Sequence, residues 1–581
     1  MGSPSCELAT SVLLTQLVEG DEPRKIEPPA MLYFLLFKSG TFDLTGDVFA
    51  YRAYLARNGS EVAARDSAKC NQKAKFLRQQ AKSLLQKSPL EVLEALNLYG
   101  ISICWAKPGT SAVGAGYAGR AAAYHKLGEF EYSLISIKLA KENGYPERHW
   151  PTLDRYEQDC RAKLLKGYSK SAGLVPNLEL NVEPNPAIPF LAKGIRTEQV
   201  PGYGRGLVAE RNFTSGDVIL HERPMLAAVQ YGVEYGKCSF CTTPVMPQLV
   251  PCPDCVTAVY CGQRCREEDK KWLHRYECGI MAKLQNISCR SFALGPKMFF
   301  YGLGLFNGDL EQFMKFCKQN PRTGSDPITL DYTNLDRLEE FKVFHCAKEP
   351  PTQFEYEFFA KFVAALHFST YMKQPRVAAL FGTIEQQDFF LTQTLDYMRM
   401  ASILSIGHPA PYDRYTTQHF SVASLFNHAC YPNTMALYHA GHLKVVVIRP
   451  IKKGQQMTVP YVPPIEEFPK RTDQLKVLSR VANFPNCMCD VCDPLMQLAV
   501  HMKRLTHEVS ADDMKRIESS IVHRGDLQDE VLRKYCEQHL TDFPSETIEM
   551  QLLINSYRMG LGLAFVSDVS ALLRNAMAES A

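Results

Sequence analysis

The sequence has no long hydrophobic run. Its best apolar stretch, residues 31–37, is far shorter than the roughly 20 apolar residues that a membrane-spanning helix needs. The N-terminus also has no charged segment followed by an apolar one, which is the pattern of a secretory signal. We therefore expect a protein of the cytoplasm and nucleus that has no membrane partner.

Charge of one sign is not in excess either. The 65 Lys and Arg residues balance 62 Asp and Glu residues, which leaves a formal net charge of +3. A chain with so little net charge has no overall field to drive tight nucleic-acid binding, so we expect no direct contact with nucleic acid. With 581 residues and 46% hydrophobic residues, the chain should fold into several globular domains.

Cysteine, by contrast, is abundant, with 19 residues in the chain. Inside the cell the thiol pool keeps cysteines reduced, so disulfides are not expected. Cysteines that cluster in the sequence are then best interpreted as metal ligands.

Residues 66–165 have the apolar spacing of helices, with stops at 107–109 and 143–146. Ala95, Tyr99 and Ser102 have similar counterparts 38 positions later, which are Ser133, Ile137 and Ala140. Pro108 recurs at the same offset as Pro146. This period and the small residues of segment 119–130 resemble tetratricopeptide repeats. An ordinary helical hairpin is the alternative.

Two β-rich runs, at about 206–220 and 443–462, are separated by a cysteine-rich block and a helical region. The sequence therefore predicts an α+β multidomain protein whose β domain is assembled from discontinuous pieces. We divide it into an N-terminal segment (1–65), helical repeats (66–170), a first β part (186–237), a cysteine block (238–278), a helical insertion (279–405), a second β part (406–470), a second cysteine segment (471–499) and a helical C-terminal region (500–581).

Four closely spaced pairs of ligand residues lie in the cysteine block. Eight soft ligands within 41 residues make two tetrahedral zinc sites, and metal binding must supply much of the folding free energy of so small a segment. Cysteines buried only for packing are the alternative. The predicted ligands are Cys238, Cys241, Cys252, Cys255, Cys261, Cys265, His274 and Cys278.

This block resembles the MYND zinc finger. The resemblance implies that the first and third pairs share one ion and that the second and fourth pairs share the other. It also implies that the finger binds short proline-containing peptides of partner proteins.

Three further segments, 202–207, 424–433 and 454–461, resemble the signatures of the SET domain. The resemblance implies that the domain binds S-adenosylmethionine and that Tyr461 is the catalytic tyrosine of methyl transfer to a lysine. The residues that it implies for cofactor binding are Tyr203, Arg205, Ser424, Asn427, His428, Tyr461 and Phe484.

The segment Cys487, Cys489 and Cys492 resembles the post-SET motif. Three thiolates need a fourth ligand to close a zinc site, and the resemblance supplies it from Cys430. One ion would then tie the tail of the chain onto the cofactor strand. In total, 11 of the 19 cysteines and one histidine would bind three zinc ions.

Several positions depart from the family pattern. Asn483 and Pro485 stand where relatives have aromatic residues, so Phe484 takes the aromatic role by a one-residue shift. Ser402 stands at the place of an asparagine, and Gln455 and Gln456 replace acidic residues.

The order of these parts resembles the tetratricopeptide-bearing branch of the SET and MYND domain family of protein lysine methyltransferases. The resemblance implies a monomeric enzyme that methylates lysines of histone or non-histone proteins in transcriptional or developmental regulation. A second hypothesis is a non-catalytic adaptor that recruits histone deacetylase corepressor complexes. The departures from the family pattern named above favour the adaptor hypothesis over the enzyme hypothesis.

The first repeat helix carries Lys75, Arg78 and Lys82. They could clamp the acidic C-terminus of a chaperone, as some tetratricopeptide grooves do. A solvated helix surface is the alternative interpretation.

Overall fold

A computed structural model describes residues 68–168, residues 179–461 with short gaps, and Cys487 and Cys489. The gaps are 215, 230–234, 246–247, 288–289, 349–356, 408–415, 431 and 440. Phe484, Cys492 and the helical C-terminal region of our division lie outside the described residues. None of the described helices is long and apolar enough to cross a membrane.

The described residues 68–168 form helices, as the apolar spacing indicates. Ser88 begins the second helix with a capping box, in which its hydroxyl accepts from the Glu91 amide and the Glu91 carboxylate accepts from the Ser88 amide. The helices are α1 (Asn71–Leu84), α2 (Pro89–Trp105), α3 (Ser111–Leu127), α4 (Phe130–Glu142) and α5 (Trp150–Leu165).

Each of these helices packs against the next, and α3 also contacts both α1 and α5. Small residues make this packing possible: a Cβ built on Gly119 would lie 2.1 Å from the Tyr99 ring. The prediction of helices is confirmed. Their assignment as tetratricopeptide repeats stays a prediction.

The cysteine block folds around two short strands and a helical segment. These are β5 (Val250–Pro251), β6 (Val259–Tyr260), α6 (Gln263–Asp269), the π-helical turn Lys270–His274 and α7 (Arg275–Glu277). Its core is continuous with that of the N-terminal helices, because Trp105 and Tyr117 join the same buried cluster as Tyr260. The Tyr117 hydroxyl also donates to the carbonyl of Leu249, 2.5 Å away.

The predicted helical insertion is a helical unit with an aromatic core. Phe299 is fully buried, and its ring contacts the rings of Phe300, Phe313 and Phe390. The helices are α8 (Met281–Ile287), α9 (Leu294–Leu305), α10 (Leu310–Gln319), α11 (Arg337–His345), α12 (Glu357–Met372), α13 (Pro375–Ala378) and α14 (Ile384–Leu404).

The β domain comprises a four-stranded sheet of order β1-β2-β12-β9 and two three-stranded sheets, β10-β11-β3 and β4-β8-β7. Strand β12, from the second β-rich run, lies between β2 and β9. Strands from both β-rich runs therefore lie side by side in one sheet. The strands are β1 (Ile195–Val200), β2 (Gly204–Ala209), β3 (Val218–Glu222), β4 (Leu226–Val229), β7 (Ser405–Gly407), β8 (Thr416–His419), β9 (Asn427–His428), β10 (Thr434–His439), β11 (His442–Val447) and β12 (Gln456–Val459).

Candidate active site and metal centres

The parallel pairing of β9 with β12 brings two of the sequence signatures together. Asn427 lies beside Thr458 and His428 beside Val459. Tyr461 follows β12 after Pro460, and its ring lies 5.5 Å from the His428 ring, measured between centroids. Residues that are more than 30 positions apart in the sequence thus meet at one end of the sheet.

Strand β2 completes this arrangement through a close approach at Gly206. The Asn427 amide nitrogen donates to the Arg205 carbonyl, 3.2 Å away. A Cβ built on Gly206 would lie only 2.5 Å from that amide nitrogen, so a side chain at position 206 would displace the Asn427 amide. Gly206 is therefore needed for Asn427 to lie against β2.

Tyr461 is fixed at two atoms. Its hydroxyl donates to the carbonyl of Phe426 at 2.7 Å, and its backbone N–H donates to Nδ1 of His428 at 3.0 Å. Burial raises the pKa of the Tyr461 hydroxyl above its usual value, so the phenol is neutral at physiological pH. Its oxygen retains acceptor capacity for a second partner.

The first metal cluster groups the ligands that the first and third pairs supply. The sulfurs of Cys241, Cys261 and Cys265 lie 3.6 to 3.7 Å from one another, and Cys238 completes the set. Sulfurs at such separations can all bind one ion at the usual zinc–sulfur distance of about 2.3 Å.

The second cluster groups the ligands of the second and fourth pairs. Nε2 of His274 lies 3.2 Å from the Cys252 sulfur and 3.6 Å from the Cys255 sulfur, and Cys278 completes the set. The predicted pairing of ligands in the cysteine block therefore agrees with the geometry of both clusters.

The electrostatics of each cluster favour the thiolate form of one cysteine and the thiol form of another. Hydrogen bonds from Cys238 lower the pKa of Cys241, and hydrogen bonds from Cys255 lower the pKa of Cys252. Burial raises the pKa of Cys238, and a hydrogen bond shared with Cys252 raises the pKa of Cys278. Since thiolates are the form that binds zinc, a cation bound in either cluster would release the protons of these thiols.

A third cluster lies beside the cofactor strand. The sulfurs of Cys430 and Cys487 are 3.7 Å apart, and Cys489 packs with Cys430 in one small buried cluster. The possible ligand atoms that lie within 4.8 Å of one another here are those of His428, Cys430 and Cys487. Two of the four predicted ligands are thus at metal-binding separation, and a third, Cys489, is buried beside them. The fourth, Cys492, lies outside the described residues.

The other residues that we expected at the cofactor lie near the site but are engaged in bonds with the protein. The Arg205 guanidinium donates to the carbonyl of Ser325, and the Ser424 hydroxyl donates to the carbonyl of Ser421 at 3.0 Å. Tyr203 lies in the turn between β1 and β2, where its amide donates to the Val200 carbonyl at 3.0 Å. Their roles in cofactor binding stay predictions.

The departures from the family pattern also have local partners. The Ser402 hydroxyl donates to the carbonyl of Arg399, one turn earlier in α14, at 2.6 Å. The Gln455 side chain accepts from the amide of Lys452 at 2.7 Å and closes the turn before β12. Both side chains stabilise their own backbone.

Two structural residues of the site were not singled out from the sequence. The Asn433 amide donates to the Gln456 carbonyl at 2.8 Å and accepts from the Thr458 amide at 2.9 Å, which pins β12 beside the signature segment. Asn433 ends that signature, so the motif itself was the signal that could have found it.

The buried carboxylate of Glu222 is the second residue that sequence reasoning missed. It accepts the amides of Val422 and Ala423 at 2.9 and 2.8 Å, and so holds the turn that leads into β9. Burial raises the pKa of Glu222 to about 8, and the two backbone hydrogen bonds oppose that shift. No local pattern marks this glutamate, because its partners lie about 200 positions away.

The basic residues of α1 are only partly available for a clamp. Arg78 donates to the Ser102 hydroxyl and to the Ala112 carbonyl, at 3.1 and 3.2 Å. This guanidinium therefore ties three helices together, while Lys75 and Lys82 are exposed.

Comparison with known proteins agrees with this geometry. Residues 204–462 match the SET domain family. The chain is 24% identical to protein-lysine N-methyltransferase SMYD4 of Danio rerio over 32% of this chain and 27% of that protein. It is 24% identical to N-lysine methyltransferase SMYD2 of Gallus gallus over 52% of this chain and 60% of that protein.

A longer match covers a larger share of the chain. The SMYD4 protein of Mus musculus is 21% identical over 72% of this chain and 66% of its own length. The chain spans less than two thirds of the length of each of these three relatives. The chain is thus similar to proteins of the SET and MYND domain family in its matched signatures and in its cysteine clusters.

Proposed function

We propose that the protein transfers a methyl group from S-adenosylmethionine to lysine side chains of proteins. The observation that carries this proposal is the convergence of Gly206, Asn427 and Tyr461 at one end of the sheet, beside the third cysteine cluster. The names of the relatives, which are lysine methyltransferases, support it.

The residues present fit the methionine end of the cofactor. Because Gly206 has no side chain, the backbone of β2 is open to close approach beside Asn427. The Asn427 amide nitrogen is bound by the protein, and its amide oxygen is an acceptor of the kind that an ammonium group requires. When bound, S-adenosylmethionine would supply a methyl group activated by its sulfonium.

Tyr461 orients the lysine amine. Its proton is directed at the Phe426 carbonyl, so its oxygen presents lone pairs rather than a proton to an approaching N–H group. An amine held in this way directs its own lone pair elsewhere, toward the methyl group. The buried surroundings disfavour the ammonium form of the substrate lysine and so help to keep the nucleophile neutral.

We also propose that three zinc ions bind, one in each cluster. The finger ions would hold the cysteine block to the N-terminal helices, and the third ion would fasten the Cys487 and Cys489 segment beside Asn427. The substrates would be histone or non-histone proteins of the cytoplasm and nucleus, and the helical and finger surfaces would bind further proteins.

The test is methylation of a cell lysate by the purified full-length protein with labelled S-adenosylmethionine. Tyr461→Phe removes the hydroxyl and should lower methyl transfer about 100-fold or more, while the affinity for the cofactor stays the same. Tyr301→Phe, at a buried tyrosine of the helical insertion, is the matched control and should keep its activity. A wild-type protein that binds no cofactor would contradict the proposal and favour the adaptor hypothesis.

A further inference from the structure

The His428 ring lies between a candidate metal ligand and the catalytic tyrosine. It is completely buried. Its Nδ1 is 3.0 Å from the backbone nitrogen of Tyr461, and its Nε2 is 3.2 Å from the sulfur of Cys430. The distances alone allow two interpretations of this histidine: a fourth ligand of the third metal site, or a donor to one of its ligands.

The backbone of Tyr461 decides between them. An amide N–H can only donate, so Nδ1 of His428 must be the acceptor and carries no proton. A neutral imidazole has one proton, which is then on Nε2. If Nε2 bound the metal instead, the proton would have to be on Nδ1, and two N–H groups would face each other across 3.0 Å.

We infer that His428 is a positioning residue that couples the third metal site to Tyr461. Its Nε2–H donates to the Cys430 sulfur, its Nδ1 holds the Tyr461 backbone, and it does not bind the metal itself. A hydrogen bond from Nε2 stabilises the thiolate form of Cys430, as outer-sphere partners of metal ligands do. The main chain of Tyr461 is held at the same time, which fixes where its hydroxyl lies against Phe426.

This inference has two consequences for the site. The ligand set of the third ion must be completed by groups other than the His428 ring, and Cys489, which is buried beside Cys430, is the candidate among the described residues. The predicted contact of His428 with the cofactor must come from its main chain, because both ring nitrogens are committed to protein groups. The inference rests on the proposed third metal ion and does not depend on methyl transfer.

Two substitutions separate the two hydrogen bonds. In His428→Gln the side-chain Nε2 reaches the position of the imidazole Nε2 and keeps a donor for Cys430, but the acceptor for Tyr461 is lost. In His428→Asn the side-chain Oδ1 takes the position of Nδ1 and keeps the acceptor, but the donor to the sulfur is lost. His419→Gln is the matched control, since His419 is equally buried in the β domain and its ring contacts the Leu404 carbonyl.

The measurements are zinc release to a chelating dye and hydrogen exchange of the Tyr461 amide, both on the full chain. Zinc release from three sites should have several kinetic phases. The phase that is absent in Cys430→Ser is assigned to the third ion. We expect His428→Asn to speed that phase about 10- to 100-fold and to leave exchange at Tyr461 slow. We expect His428→Gln to leave the phase nearly unchanged and to speed exchange about three- to tenfold.

Three outcomes would overturn the inference. One is loss of the third zinc in both His428 variants together with its retention in Cys489→Ser, which would make His428 a ligand. The second is unchanged zinc release in His428→Asn, and the third is unchanged exchange in His428→Gln. If Cys430→Ser keeps as much zinc as the wild type, the proposed third ion itself fails, which is a separate result.

Discussion

The finger clusters and the third cluster use the same chemistry but are built in opposite ways. The eight finger ligands lie within residues 238–278, and each cluster closes through short turns. In the third cluster, Cys430 and Cys487 are 57 positions apart. The local turn positions two ligands that are close in sequence. Two distant ligands meet only when the whole domain has folded.

This difference indicates what each metal stabilises. A finger ion stabilises a module with little core of its own, which here shares one core with the N-terminal helices. The third ion would close a long loop, and its free energy holds a tail segment against the active site. Loss of a finger ion should therefore unfold a region of the protein, whereas loss of the third ion should disable the active site.

The largest effect is expected for Cys252→Ser in the second finger cluster. Structural zinc contributes about 10 kcal/mol or more to the folding of isolated finger peptides, so the cysteine block should no longer fold cooperatively. Because Trp105 and Tyr117 share its core, the N-terminal helices should become sensitive to limited proteolysis as well. Zinc content should fall by at least one ion per chain.

The control for this change is Cys104→Ser. Cys104 is fully buried in the same core, but it belongs to no metal cluster among the described residues. It should lose some stability and keep all its zinc. Equal zinc loss in both variants would show that the finger unfolds through its core and not through its ligands.

A smaller and more local effect is expected for Cys430→Ser. One zinc ion should be lost and the unfolding free energy should fall by about 3 kcal/mol or more, as for loss of a metal site. Affinity for S-adenosylmethionine, measured by calorimetry, should fall, while proteolysis of residues 68–168 stays slow. Cleavage of the N-terminal helices as fast as in Cys252→Ser would contradict the distinction between module and site.

Glu222→Gln should change how the stability of the protein depends on pH. The pKa of Glu222 is raised to about 8 in the folded protein, so the folded state binds this proton more tightly than the unfolded state. Its contribution to stability is therefore full below the ordinary pKa of about 4.5 and is lost as pH rises through about 8.

The measurement is denaturant unfolding of wild type and variant between pH 5 and 9, and the comparison cancels the titration of the metal ligands. The wild type should lose up to a few kcal/mol more than the variant over this range. Glu210→Gln, at a half-exposed glutamate of the same domain, should follow the wild type. A constant difference at every pH would contradict the raised pKa.

Gly206→Ala should have the smallest effect on stability and a clear one on the site. The added methyl group would lie 2.5 Å from the Asn427 amide, which must shift at a cost of about 1 to 3 kcal/mol. Cofactor affinity should fall with it. Gly262→Ala, where a Cβ meets nothing within 4 Å, is the control and should leave both unchanged.

The finger and the helices were predictable because their patterns are local. The spacing of Cys238, Cys241, Cys261 and Cys265 indicates a metal site without any knowledge of the rest of the chain. The helices of the N-terminal region are likewise recognisable from apolar residues that are only three or four positions apart. Resemblance to the SET signatures led to Asn427 and Tyr461, although nothing in their spacing shows that they meet.

Other features could not be predicted, because their partners are distant in sequence. The Glu222 side chain holds a turn about 200 positions away in the sequence. The Arg205 guanidinium donates to the carbonyl of Ser325, which lies in the helical insertion and outside every signature segment. The shared core of finger and helices is of the same kind, since neither segment shows which surface the other covers.

The sequence by itself determined which atoms can bind a metal and where helices begin and end, because both depend on spacings of a few residues. Only the tertiary structure decided that β12 lies between β2 and β9, that Cys430 meets Cys487, and that the His428 ring lies between a thiolate and Tyr461. These contacts depend on how the sheets and the core pack as a whole, and no short stretch of chain contains that information.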